Sequence, residues 1–315
     1  MTAAQHGSFI LLNGVGGANT VTITDTFNGV GNATVESYDL NGTNNTFTMA
    51  TVGQNVNAGG GNDIVNVIAG NLTGTIAGEG GNDTLNINGV VNITAATVSS
   101  FLDANLGNNG NLTLDDSQLG GITGVNDNGT NTGITILDAN NSGFVKNLGT
   151  SVSSDYDADS VAFNGAGVRT TAIDDGFSGT LNSGGAGSTN ANYATGTHTS
   201  IYNGQGGNDS VSFSGTLSGA GRLLGGAGAD LLTLNNASSI SGVAAADVAG
   251  FETVNLQTNS TTTMLGDHLD TFLAVGAANF NATGTETVNI TDTTFSTTID
   301  NDTAGPAASE EIETY

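Results

Sequence analysis

Four glycine-rich turns that each end in an aspartate carry the residues most suited to chemistry. They span Ala58–Asp63, Gly78–Asp83, Gly204–Asp209 and Gly225–Asp230. Glycine permits backbone conformations that direct several carbonyl oxygens to one point, and calcium binds six to eight such oxygens together with carboxylates. The turns therefore predict calcium sites, and the candidate metal-site residues are Gly59, Gly61, Asp63, Gly78, Gly81, Asp83, Gly204, Gly207, Asp209, Gly225, Gly226, Gly228 and Asp230.

The spacing of these turns predicts how they stack. Asp83 follows Asp63 by 20 residues, and Asp230 follows Asp209 by 21. This interval suits one whole coil of a solenoid, so the turns of each pair should lie on one edge. A turn that merely connects two strands is the alternative interpretation of each motif taken singly.

A second acidic candidate consists of Asp155, Asp157 and Asp159. Alternating carboxylates also open the calcium loop of an EF-hand, but Ser160 and Ala166 stand where that loop has its glycine and its bidentate glutamate. The segment is therefore not an EF-hand. A looser calcium site and a solvated acidic loop both remain open.

Composition excludes several classes of protein. The 315 residues include 49 glycines, one proline and no cysteine, and 29 acidic residues face three basic ones for a net charge of −26. Three cations cannot form the basic surface of a nucleic-acid-binding protein, and no apolar run reaches the length of a membrane span. Thiolate chemistry is impossible. A chain this acidic needs counter-cations to limit its self-repulsion.

The elements that must position these turns are short strands. Apolar and small polar residues alternate with a period of two, which is typical of strands with one buried face, at Val21–Thr24, Ile64–Val67, Leu85–Ile87, Val211–Phe213, Val254–Leu256 and Val288–Ile290. Three segments with apolar residues three or four apart predict short helices instead: Thr94–Leu106, Val243–Phe251 and Leu265–Phe272.

Internal repeats predict two related units. Corresponding positions in the two motif regions are offset by 146 to 150 residues (Asp63 to Asp209, Phe101 to Phe251). We expect units at 1–150 and 151–300, with an acidic tail at 301–315. The fold class is all-β: a parallel β-roll or β-solenoid with tandem duplicated units and a few short helices. The strand region near Val21 also resembles the one near Val288.

Catalytic signatures are missing from the sequence. The three histidines (His6, His198 and His268) are isolated, and the sequence contains neither the H-E-x-x-H string of zinc proteases nor the G-x-S-x-G string of serine hydrolases. We therefore expect that the protein is not an enzyme.

The turns resemble the nonapeptide G-G-x-G-x-D-x-U-x of RTX proteins. Gly225–Leu232 fits every defined position, whereas the other turns each lose one early glycine, at Ala58, Glu79 or Gln205. Gly250–Leu256 and its later counterpart Gly284–Ile290 are similar to strands of RTX-type surface-layer proteins. The resemblance to this family of bacterial surface proteins and adhesins implies a calcium-bound β-roll, type I secretion without an amino-terminal signal, and a location at the cell surface.

Two functions follow from this resemblance. The first is a calcium-stabilised, self-assembling extracellular protein that forms a surface layer or filament by head-to-tail contacts with copies of itself, with a cell-surface polysaccharide as a further partner. The second is a monomeric adhesin or receptor-binding module that recognises its ligand through the non-repeated segments Gly107–Leu148 and Ser178–Ser200.

Overall fold

The computed structural model describes residues 1–9, 20–40, 42–138, 144–148, 155–158, 160–165, 169–173, 177, 179–184, 188–257, 260–274, 278–279 and 287–292. About half of the chain is strand, and the parallel sheets form a β-solenoid of about ten turns. The predicted fold class is therefore confirmed. The acidic tail, Asp159 and Ala166 lie outside the described residues.

The secondary structure consists of short strands with two α-helices, α1 (Ala3–Ser8) and α2 (Gly266–Ala274). The described strands are β1 Thr20–Ile23, β2 Asn28–Val30, β3 Ser37–Leu40, β4 Thr46–Thr48, β5 Asn55–Asn57, β6 Ile64–Val67, β7 Gly70–Asn71, β8 Thr75–Ala77, β9 Thr84–Ile87, β10 Val90–Asn92, β11 Thr97–Ser99, β12 Phe101–Leu106, β13 Asn111–Asp115, β14 Ile122–Asp127, β15 Gly133–Asp138, β16 Phe144–Val145, β17 Ser160–Gly165, β18 Arg169–Ile173, β19 Thr180–Gly184, β20 Thr189–Tyr193, β21 Thr197–His198, β22 Ile201–Asn203, β23 Ser210–Phe213, β24 Thr216–Ser218, β25 Arg222–Leu224, β26 Leu231–Leu234, β27 Ser238–Gly242, β28 Val248–Ala249, β29 Thr253–Leu256, β30 Thr261–Met264, β31 Ala278–Asn279 and β32 Thr287–Ile290. Single 3-10 turns lie at Asp116–Gln118 and Ala245–Asp247.

The chain divides into two compact units. Unit 1 comprises residues 1–139 and 152–161, and unit 2 comprises 140–151 and 162–315. In unit 1 successive coils place their strands in parallel sheets of order β1-β3-β5-β8-β11, β14-β12-β9-β6-β4-β2 and β15-β13-β10-β7. In unit 2 the corresponding orders are β16-β18-β20-β23-β26-β29-β31, β21-β24-β27-β30-β32 and β28-β25-β22-β19.

The alternating pattern explains both faces of each sheet. Val65 of β6 is fully buried and lies in register with Leu85 of β9, so each coil stacks apolar side chains on those of the next. On the opposite face, asparagine side chains form a ladder: the Asn86 amide donates to Asn66 Oδ1 at 2.8 Å, and the Asn126 amide donates to Asn105 Oδ1 at 3.1 Å. Identical side chains at equivalent coil positions therefore satisfy one another, which explains the abundance of asparagine.

The predicted strands are confirmed, but only one of the predicted helices is. All of Leu265–Phe272 except Leu265 lies in α2. Thr94–Leu106 is not a helix: it forms β11 and β12, because β12 finds parallel partners on both sides in β9 and β14. Of Val243–Phe251, only three residues form a 3-10 turn. Helix α1 was not predicted, although Thr2 and Gln5 form a capping box at its start.

No helix among the described residues is long and apolar enough to cross a membrane.

Candidate cation-binding turns

The two motif turns of unit 1 stack directly on each other. Gly60 and Gly80 form a parallel bridge, with the Gly61 N–H donating to Gly80 O at 2.7 Å and the Gly80 N–H donating to Gly59 O at 3.0 Å. Asp63 and Asp83 end these turns immediately before β6 and β9. The predicted stacking of the first pair of turns on one edge is confirmed.

Each motif aspartate of unit 1 accepts a hydrogen bond from the coil before it. Asp83 Oδ1 accepts the Asp63 N–H at 2.8 Å, and Asp63 Oδ1 accepts the Asn45 N–H at 2.6 Å. Asn45 repeats the contact, since its Oδ1 accepts the Phe27 N–H at 2.8 Å. We call this arrangement, in which a side-chain oxygen accepts the main-chain N–H of the equivalent residue one coil earlier, a rung. The Asn45 rung shows that the contact does not require a charge.

Unit 2 repeats the same rungs. Asp209 Oδ1 accepts the Thr189 N–H at 2.6 Å, and Asp230 Oδ1 accepts the Asp209 N–H at 2.7 Å. Glu252 continues the series, because its Oε2 accepts the Asp230 N–H at 2.7 Å. Gly206 and Ala227 form the parallel bridge that stacks the two turns.

The second oxygen of each motif aspartate has no hydrogen-bond partner in the described part of the chain. The four Oδ2 atoms are buried, and each aspartate is at most 1% exposed. Burial raises the pKa of Asp63, Asp83 and Asp230, although the rung N–H opposes the rise. Burial raises the pKa of Asp209 to about 6. Each buried carboxylate therefore has one oxygen, Oδ2, without a hydrogen-bond donor to stabilise its negative charge.

The glycines of the motif are explained by close backbone contacts. A Cβ at Gly81 would lie 1.7 Å from Gly61 O, so no side chain fits at that position. The second motif position is left-handed in every turn, with φ of 90° at Gly59, 70° at Glu79 and 58° at Gln205. The departures from glycine at Glu79 and Gln205 therefore keep the backbone of the motif at a conformational cost.

The described part of the acidic segment, residues 155–158, packs against the coil that contains β14 through one isolated bridge. Tyr156 pairs with Val125 of β14 and donates its hydroxyl to Ile122 O at 3.0 Å. Asp155 is buried and Asp157 is half-buried. These residues therefore lie on the next coil beyond β14, and Asp159 is outside the described residues.

Sequence reasoning missed Asn45, Thr189 and Glu252 as members of the rung series. A weak signal existed, because Asn45 and Glu252 each stand two residues before a buried apolar residue, as the motif aspartates do. Neither residue follows a glycine-rich turn, so neither matches the motif that predicted the other members.

The described residues limit the kind of metal site that the turns could form. These residues contain no group of three or more His, Cys, Asp or Glu side chains placed to hold a metal ion. A cation at a motif turn would therefore have to take most of its ligands from backbone carbonyls.

No family model, curated protein or solved structure matches the chain.

The rung and the charge of Asp83 can be separated by substitution. We expect Asp83→Ala to lower the free energy of unfolding by about 1–3 kcal/mol, because the Asp63 N–H loses its acceptor. Asp83→Asn keeps an acceptor and removes the buried charge, so in chelator at neutral pH it should equal or exceed the parent in stability. Urea denaturation measures both, with Asp39→Asn on β3 as the control. Equal losses in the two Asp83 variants would contradict this account.

The raised pKa of Asp209 predicts a pH dependence of stability in chelator. Its folded-state value of about 6 lies above the ordinary value of 3.8, so the folded protein binds more protons than the unfolded chain between these values. Stability should therefore fall as the pH rises through about 6. Thermal melting from pH 5 to 7.5 measures this, and Asp209→Asn should reduce the slope. An unchanged slope in that variant would contradict the assignment.

Proposed function

We propose that the protein is a calcium-stabilised, self-assembling extracellular structural protein that forms a surface layer or filament. The observation that carries the proposal is the charge of the stacked turns. Asp63 and Asp83 are buried with one oxygen each unpartnered, and unit 1 contains no lysine or arginine in its sequence. An external cation is the natural source of compensation.

The few basic residues of the chain support this reasoning. Arg222 pairs with Asp247 at 2.9 Å, far along the sequence from the motif turns of unit 1. Arg169 is buried in unit 2, where it lowers the pKa of Asp209 against the larger effect of burial. Unit 1 has no such residue, so its carboxylates depend on protons or on bound cations.

Calcium suits these turns better than softer metals. The turns offer carboxylate and carbonyl oxygens, which are the ligands of hard cations. Aspartate Oδ2 would be the charged ligand of each site, and glycine carbonyls would complete the shell. Sites with few charged ligands bind calcium weakly, in the roughly 10⁻⁴–10⁻³ M range of extracellular modules. Such affinity favours a calcium-rich location outside the cell, where binding adds to folding stability.

Self-assembly is supported by the strands at the ends of two sheets. Among the described strands, β1 is the first of its sheet in unit 1 and β32 is the last of its sheet in unit 2. Their sequences, Thr20–Ile23 and Thr287–Ile290, are nearly identical. An edge strand offers unpaired main-chain groups, so a strand from a second copy could continue the parallel ladder.

Calcium titration tests the proposed site. We expect calcium to bind with heat detectable by calorimetry and to raise the melting temperature, and Asp63→Asn/Asp83→Asn to remove the part of the response that belongs to unit 1. Asp39→Asn is the matched control, because it removes one acid from an outward strand position. A parent protein whose melting temperature is the same in calcium and in chelator would overturn the calcium proposal.

The monomeric adhesin is the second candidate, and one observation favours it. Met1 exchanges main-chain hydrogen bonds with β1 and the residue after it: its amino group donates to Thr22 O at 2.7 Å, and its carbonyl accepts the Thr24 N–H at 3.0 Å. His6 of α1 also contacts Phe27 and bonds to the Tyr38 hydroxyl. This amino-terminal cover occupies part of the surface that a second copy would use.

Electron microscopy and light scattering in millimolar calcium distinguish these two functions. The structural protein should form ordered sheets or filaments that dissolve in chelator. Monodisperse monomers in calcium, with the calcium-dependent rise in melting temperature intact, would exclude self-assembly and leave the adhesin.

A further inference from the structure

One coil of unit 2 carries several buried polar groups in its interior. The coil includes Tyr193 in β20, His198 in β21, Ser200 immediately before β22 and Tyr202 in β22, and their exposed fractions are 4%, 0%, 0% and 0%. Within the described residues, Tyr193 Oη, His198 Nδ1, Ser200 Oγ and Tyr202 Oη have no hydrogen-bond partner. A buried polar group left unsatisfied destabilises the fold, so four in one coil require an explanation.

These groups lie close together. The ring centroids of Tyr193 and His198 are 4.9 Å apart, and those of Tyr193 and Phe213 are 5.3 Å apart. His198 Nε2 lies 2.8 Å from Ala194 O. A carbonyl can only accept, so Nε2 carries the proton. In the neutral ring Nδ1 is then a free acceptor.

Electrostatic effects connect the remaining members. Burial raises the pKa of Tyr193, and the Ser200 hydroxyl opposes the rise. Burial likewise raises the pKa of Tyr202, and the neighbouring Asp209 carboxylate adds to the effect. Each of these effects includes a side-chain hydrogen-bonding interaction, between Tyr193 and Ser200 and between Tyr202 and Asp209. The two pairs are thus adjacent, although neither has the geometry of a direct hydrogen bond, and a water molecule between two such groups can satisfy both.

Unit 1 shows what the same position looks like when it is filled. Counted from the motif turn, Ser200 stands where unit 1 has Gln54, and Tyr202 stands where it has Val56. The buried Gln54 amide donates to Asn32 O at 2.9 Å and to Val35 O at 2.8 Å, and its Oε1 accepts the Ala50 N–H at 2.9 Å. Serine has three fewer non-hydrogen side-chain atoms than glutamine, so Ser200 cannot make the three contacts that the Gln54 amide makes in unit 1.

We propose that this coil of unit 2 encloses ordered water molecules that bridge Tyr193, His198, Ser200 and Tyr202. A buried water commonly makes two to four hydrogen bonds to groups that are otherwise unsatisfied. Water therefore supplies the donors and acceptors that the Gln54 amide supplies in unit 1.

Nuclear Overhauser contacts between water and side-chain protons of the full-length protein test the site directly. We expect long-lived water beside Tyr193 and Tyr202, and we expect Ser200→Gln to displace at least one such molecule because its amide fills the corner. The matched control is the reverse change in unit 1, Gln54→Ser, which should admit water there. Absence of long-lived water in the folded parent would overturn the proposal.

Melting temperatures give a second readout. Tyr193→Phe and Tyr202→Phe should each lower the melting temperature by roughly 2–4 °C, because a bridging water loses one of its partners. If the hydroxyls were simply unsatisfied, their removal would stabilise the protein. A higher melting temperature in both variants would therefore also overturn the proposal. Both measurements are made in chelator, so that calcium bound by Asp209 does not contribute to them.

Discussion

The contact on which the turns depend is a carboxylate oxygen that accepts a main-chain N–H one coil earlier. Asp83 makes it to Asp63, and Asp230 makes it to Asp209. The bond sets the distance between successive turns and starts each following strand in register. It also fixes the carboxylate inside the stack, where its other oxygen is removed from water. The hydrogen bond that orders the stacked turns therefore also buries a negative charge whose second oxygen has no partner.

The two units differ in the positive charge available to stabilise these buried carboxylates. Unit 2 places the buried Arg169 near Asp209, and the positive charge opposes the rise that burial causes in the pKa of that carboxyl. Unit 1 has no basic side chain to do the same for Asp63 and Asp83. A proton or a bound cation must then compete for the unpartnered oxygens, and the outcome depends on pH and on the ions of the surroundings.

The sequence was sufficient for the fold class and for the stacking of the turns, since a period of two and a coil-length interval are both local signals. It was insufficient where tertiary pairing overrides local spacing. Val98, Phe101 and Leu102 have helical spacing, yet parallel partners on both sides make β12 a strand. The polar interior around Tyr202 was not predicted either, because an alternating strand pattern does not reveal which inward side chains lack hydrogen-bond partners.

The glycines and the aspartates of the motif have separate explanations. Every glycine-rich turn needs a left-handed residue at its second position, and Glu79 and Gln205 adopt that conformation without being glycine. The glycines therefore follow from the backbone, whether or not a metal binds. Asn45 makes the same rung as the aspartates and bears no charge. The rung alone thus explains an oxygen acceptor but not a carboxylate, and the charge is the feature that a bound cation would account for.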